Sequence, residues 1–227
     1  MSYRHTAASI GLAALLASAS MPALAQPVDD GTPIEMMGTA YTGEVPPDLD
    51  LVKNRFIAAF GEDCDWAING SPDMREPETY DFTFRYGFDE AGDPDRALRI
   101  YRFFCSQGAY NQQHAYFAWT EDGLRALSFA VPVTEATFTD PGNSDSDVQS
   151  LETLGFSTQR TLTNSEIDSE TGAIVSNSYW RGLGDASSSG TWRLVEGEYV
   201  LETYDVDHSY NGKVDPVRVV DYSAAPR

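Results

Sequence analysis

The chain has 227 residues, with 15 Lys+Arg against 35 Asp+Glu and a formal net charge of −20. That charge repels phosphate backbones, and no Lys/Arg cluster overrides it, which argues against nucleic-acid binding. With 41% hydrophobic and 12% aromatic residues the chain is too apolar for a disordered acidic tail, and its length suits one domain with a small N-terminal appendage.

Residues 1–25 have the layout of a secretory signal peptide. Arg4 and His5 form a short basic start, Ala7 to Leu16 an apolar run, and Ala23-Leu24-Ala25 an A-x-A site, with cleavage expected after Ala25. The run is too short and Ala/Ser-rich to span a bilayer, no Cys near the site suggests a lipid anchor, and no later stretch reads as a membrane span. A periplasmic or secreted protein is expected. In such an oxidising compartment Cys64 and Cys105 are expected to pair, closing a loop whose chain entropy corresponds to about 4 kcal/mol. The rival reading is a reactive Cys105 thiol near His114.

Residues 26–47, with Pro27, Pro33, Pro46 and Pro47, read as an extended lead-in to a single β-rich domain over 48–227. Asp48 can cap a helix in which Leu49, Val52, Phe56 and Phe60 recur at helical spacing, with Gly61 as its stop. From Tyr80 the period becomes two: Tyr80, Phe82, Phe84, Tyr86 and Phe88 predict a half-buried strand, returning as Leu98–Cys105 after the loop 89–95. Further hairpins are predicted from 115–119 into 124–131, from 156–162 to 173–180 across the turn 168–172, and from 192–195 to 199–204 through Glu196-Gly197. The last strand is 217–222. Between them, 140–155 reads as an acidic loop followed by one or two helical turns over Asp147–Leu154, closed by Gly155. The fold class is therefore mainly β: antiparallel hairpins forming a sheet, sandwich or barrel, with one N-terminal helix packed on it.

Few residues advertise chemistry. Asp140, Asp145, Asp147 and Glu152 suggest calcium by their clustering, but EF-hand spacing fails, and a solvated acidic loop is the simpler reading. His114 and His208 offer no zinc spacing, so no metal or cofactor is assigned. Gly182-Leu183-Gly184-Asp185 has no following helix to make it a dinucleotide loop, and no G-x-S-x-G elbow occurs. It does form a tight connection flanked by Trp180 and Trp192, with Arg181 and Asp185 inside it. Such a loop is either a binding site or a structural turn whose Arg and Asp satisfy each other.

The run Arg181-Gly182-Leu183-Gly184-Asp185, then Ser188-Ser189-Gly190-Thr191-Trp192 and Tyr199-Val200-Leu201, resembles the C-terminal signature of a family of exported bacterial proteins, the domain of unknown function numbered eleven seventy-six. Cys105-Ser106-Gln107-Gly108-Ala109-Tyr110-Asn111 resembles that family's Cys-x-x-Gly-Ala-Tyr-Asn stretch. The likeness covers residues 100 to 210. It implies export and a disulfide-supported β-rich fold, and no activity. The chain departs from the pattern at Ala186, and near Ser209 and Tyr210, where the family carries cysteines; their joint loss suggests a structural role for this loop. Candidate binding residues are thus Arg181, Asp185, Trp180, Trp192, Tyr110 and Asn111.

Two functions compete. One is a non-enzymatic binding or interaction module at the cell envelope, its partner a basic envelope protein, a cationic peptide, or a glycan stacked on Trp180 or Trp192. The other is an envelope hydrolase with a carboxylate pair drawn from Asp185, Glu202, Asp205 and Asp207.

Overall fold

The computed structural model describes residues 45–224; the expected signal peptide and most of the lead-in lie outside them. Two helices come first, α1 (Leu49–Phe60) and α2 (Asp65–Asn69). Strands follow as β1 (Glu78–Phe84), β2 (Arg96–Gln107), β3 (Gln112–Thr120), β4 (Gly123–Ala126), β5 (Phe129–Phe138) and β6 (Val148–Gln159). The remainder are β7 (Thr161–Thr163), β8 (Glu166–Ile167), β9 (Ile174–Tyr179), β10 (Ser187–Val195), β11 (Glu198–Asp207) and β12 (Val217–Asp221). The protein is mainly β, antiparallel throughout, as its alternating patterns predict.

Helix α1 starts where expected, because the Asp48 carboxylate accepts the Leu51 N–H at 2.8 Å. Val52, Phe56 and Phe60, four residues apart, form its buried stripe. The helix ends at Phe60 with Gly61 as its C-cap, as expected, although Gly61 stays in the right-handed region, and the turn 61–64 leads on into α2. The stripe lies on the first sheet, in the order β1-β2-β3-β4 with β7 also on β3. Phe56 stacks on Phe103 at 4.3 Å between ring centroids, and the Cys64–Cys105 disulfide clips the end of the helical layer to β2.

Central strands of this sheet are covered on both faces. Tyr101, Phe103, Ala115, Phe117 and Trp119 face the helical layer, while Leu98, Ile100, Tyr116 and Ala118 face the second sheet. That is why Ala115–Trp119 is apolar without interruption. The second sheet runs β12-β11-β10-β9-β8, and its Ile174, Trp192 and Leu201 complete the inter-sheet core. Glu196 and Gly197, both at positive φ, make the tight β10–β11 turn.

Several expectations are corrected. Residues Asp147–Leu154 are not helical: from Val148 on they belong to β6, which pairs with β5 in a two-stranded ribbon. Most of β6 is exposed, so no buried face imposes a period of two on its sequence. The segment 156–162 does not pair with 173–180. It ends the ribbon at Gln159 and re-enters the first sheet as β7, while the turn 168–172 joins β8 to β9. The predicted strand 124–131 is two strands, β4 in the first sheet and β5 in the ribbon. Strand β1 stops at Phe84, because Asp89 accepts the Tyr86 N–H and the Arg96 guanidinium, pulling 85–89 into a turn.

Candidate functional site

The two motif loops meet. The ring of Tyr110 lies so close to Gly182 that a Cβ there would sit 2.7 Å from it. Asn111 acts as a piece of strand: its Nδ2 donates to the Tyr179 carbonyl at 2.7 Å, and its Oδ1 accepts the Tyr179 N–H at 3.1 Å. Asn164, in the left-handed region at φ 43°, ties the same corner by donating to Asn111 Oδ1 and to the Asn177 carbonyl. This corner joins one sheet to the other.

Inside the second motif, Arg181 and Asp185 form a two-toothed ion pair, and Arg181 also donates to the Tyr210 carbonyl and lies over its ring. Asp185 is buried and accepts the Gly212 N–H at 2.8 Å. The Arg181 guanidinium holds its carboxyl down at about 2, with the Gly212 bond adding to the effect. Every strong polar group here already has a partner inside the fold. Ala186 and Ser209, where the resemblance would place cysteines, are both fully buried in these two bonded segments.

The aromatic candidates divide. Trp180 is 39% exposed with its edge on His208, and Tyr110 is 58% exposed, so both rings can meet a partner. Trp192 cannot stack a glycan: it is fully buried in the inter-sheet core and its Nε1 donates to the Ala130 carbonyl. The candidate carboxylates also disperse. Asp205 is held by both arms of Arg218, and Asp207 accepts Ser209 and Asp215 N–H groups. Of the four, Glu202 lines one cavity together with Glu196, and Asp207 lines another, of about 330 Å³, with Asp147, His208 and Asp215. In the acidic loop, Asp140 accepts from Asn143, and Asp147 from Asn211 and Lys213. Among the described residues no three His, Cys, Asp or Glu side chains gather to hold a metal, and no helix is long and apolar enough to cross a membrane. The disulfide leaves no free thiol for the Cys105 reading.

A buried polar cluster escapes sequence reasoning. Ser165 Oγ lies 2.6 Å from Tyr116 Oη and 3.3 Å from His114 Nδ1. Arg102 Nη2 sits 3.0 Å from His114 Nε2, and Arg102 also donates to the Ser165 carbonyl and Glu78. Burial, reinforced by the Arg102 charge, lowers the His114 pKa to about 4, and burial raises Tyr116 to about 12. A Ser–His pair suggests nucleophilic catalysis, yet here an arginine occupies the place a carboxylate takes in a triad, and Ser165 is fully buried. The cluster fastens β2, β3 and the segment entering β8.

Two surface features remain. The segment 127–159, which contains the ribbon, holds five carboxylates and no Lys or Arg, and Glu135 stands directly opposite Glu152. Val133, Leu154 and Phe156 are exposed beside that pair. Elsewhere, Arg193 of β10 forms the wall shared by two clefts. One, of about 600 Å³, is bounded by Phe84, Tyr86, Glu196 and Glu202; the other, of about 540 Å³, by Phe156, Tyr199, Val200 and Tyr222. Comparison with known proteins adds no assignment: the chain matches no family model, no curated protein and no solved structure.

Proposed function

We propose that the protein is a non-enzymatic binding module of the cell envelope whose acidic ribbon takes a basic partner, either a cationic peptide or a basic envelope protein. The observation that carries this reading is the Glu135–Glu152 pair. Like charges directly opposite on a two-stranded ribbon destabilise it, and no Lys or Arg between 127 and 159 relieves them. A partner that brings positive charge removes that cost. Exposed Leu154 and Phe156, two and four residues beyond Glu152 on β6, add an apolar contact, so a peptide carrying both basic and apolar residues matches the surface. The disulfide and the leader-like residues 1–25 support a periplasmic or secreted location, as does the resemblance of the two motif loops to the exported family.

The test is titration with an alternating Lys-Leu decapeptide at 20 mM and 300 mM salt. The expected result is saturable binding that weakens about tenfold or more at the higher salt, and weakens similarly in Glu135→Lys/Glu152→Lys. Equal binding by the charge-reversed protein rejects the ribbon as the site. A basic wall hydrolase such as a lysozyme is one specific partner, and unchanged lysozyme turnover at low salt rejects that version.

A further inference from the structure

We propose that the cleft floored by Arg193 is a binding site for a small amphipathic anion, an alkyl or aryl carboxylate whose head sits on Arg193 and whose body lies along the apolar cleft. This goes beyond the ribbon reading. It concerns a different ligand and a different anchoring residue.

In a chain with more than twice as many acidic as basic residues, a carboxylate partner is easy to supply, and ten of the described Lys and Arg side chains have one. Arg193 is an exception. Its Nε and Nη1 are buried without a hydrogen-bond partner. Two buried donors left unmet on a half-buried guanidinium are costly, and a carboxylate is the group whose acceptors match a guanidinium best. Glu202 and Glu196 line the neighbouring cleft, yet neither is ion-paired with Arg193.

Lining chemistry sets the orientation. The larger cleft carries Glu196 and Glu202 against Arg85 and Arg193, so its lining is already balanced in charge and offers an anion no net attraction. In the smaller one Arg193 is the sole charged residue among Ala130, Phe156, Tyr199, Val200 and Tyr222 and their apolar neighbours. Its volume of about 540 Å³ is within the usual span of small-ligand sites. A single negative head on Arg193 with an apolar body over Tyr199 and Phe156 satisfies both the charge and the surface. A neutral glycan lacks the head, and a cation is repelled by the guanidinium.

Calorimetric titration of the purified protein with laurate, below its micellar concentration, tests the site. Laurate is expected to bind one to one, with dodecanol and dodecyltrimethylammonium about tenfold weaker or worse. Arg193→Gln is expected to lose about tenfold for laurate, leave dodecanol unchanged and leave the Lys-Leu peptide affinity unchanged, while Arg193→Lys retains part of the preference. A thermal scan without ligand supplies a readout independent of binding. Arg193→Met is expected to melt no lower than the parent, because it removes unmet buried donors. The proposal is overturned if laurate fails to bind, if it binds no tighter than dodecanol, if Arg193→Gln binds it equally well, or if Arg193→Met melts lower.

Discussion

Arg181 and Arg193 lie on adjoining parts of the same meander, and the fold treats them in opposite ways. Arg181 is fully engaged, paired with a buried Asp185, bonded to the Tyr210 carbonyl and laid over the Tyr210 ring. Arg193 is embedded in a strand between Trp192 and Leu194, and two of its nitrogens meet nothing. A conspicuous glycine-flanked loop is therefore the structural lock, and an inconspicuous strand residue is the open valence. The difference separates charge that holds the fold from charge the fold leaves unanswered.

The comparison breaks most easily at Asp185. Asp185→Ala leaves Arg181 without its counter-charge and the Gly212 N–H without an acceptor, and is expected to lower the Tm by about 10 °C while leaving the laurate titration intact. The carboxyl also sets a pH limit. Its folded pKa lies at about 2, below the unfolded value, so its contribution is present above about pH 4 and lost as the pH falls through 2. If Asp185→Ala melts like the parent at pH 7, the lock is misassigned.

His114 gives the next largest effect. Its folded pKa is about 4 against an ordinary 6.5, so the unfolded chain takes up the proton first. Stability is expected to fall as pH drops from about 6.5 towards 4 and then level off, by at most about 3 kcal/mol from this group. His114→Gln should flatten that window in urea titrations at pH 7, 5.5 and 4.5 without touching the acid limb below 4. A parent protein equally stable at pH 7 and 4.5 contradicts the buried, neutral ring.

The smallest effect is expected at Gly182. A methyl there meets the ring of Tyr110, but that side chain is 58% exposed and can swing aside, so Gly182→Ala should cost under about 1 kcal/mol in denaturant titration. A much larger loss would make the contact between the motif loops part of the lock.

What the residues announce follows from burial. Helix α1, the β10–β11 hairpin and the disulfide were legible because cap, turn and core residues each leave a mark at fixed spacing. The ribbon's sequence reads as partly helical because a strand exposed on most of its length has no core to write its period. The change of sheet between Gln159 and Thr161 has no local signature, since partner choice depends on distant strands. Arg181 and Asp185 stand four apart and invite pairing on sight. Arg193 looks like the ordinary polar phase of a strand, and only the placement of every carboxylate in space reveals that none reaches it. The Arg102–His114–Ser165 cluster was hidden for a related reason: its members come from three separate stretches of chain.

The ribbon has one more property. Among the described residues β6 is bonded to β5 alone, so alternate residues along its other side present backbone donors and acceptors ready to template a neighbouring strand. Two copies meeting there would confront Glu152 with its duplicate while the whole molecules repel each other. The acidic balance thus acts as a spacer between identical chains, a colloidal device independent of any ligand. Near the isoelectric point of about 4.2 the net charge vanishes, the spacer is lost, and self-association should begin along β6.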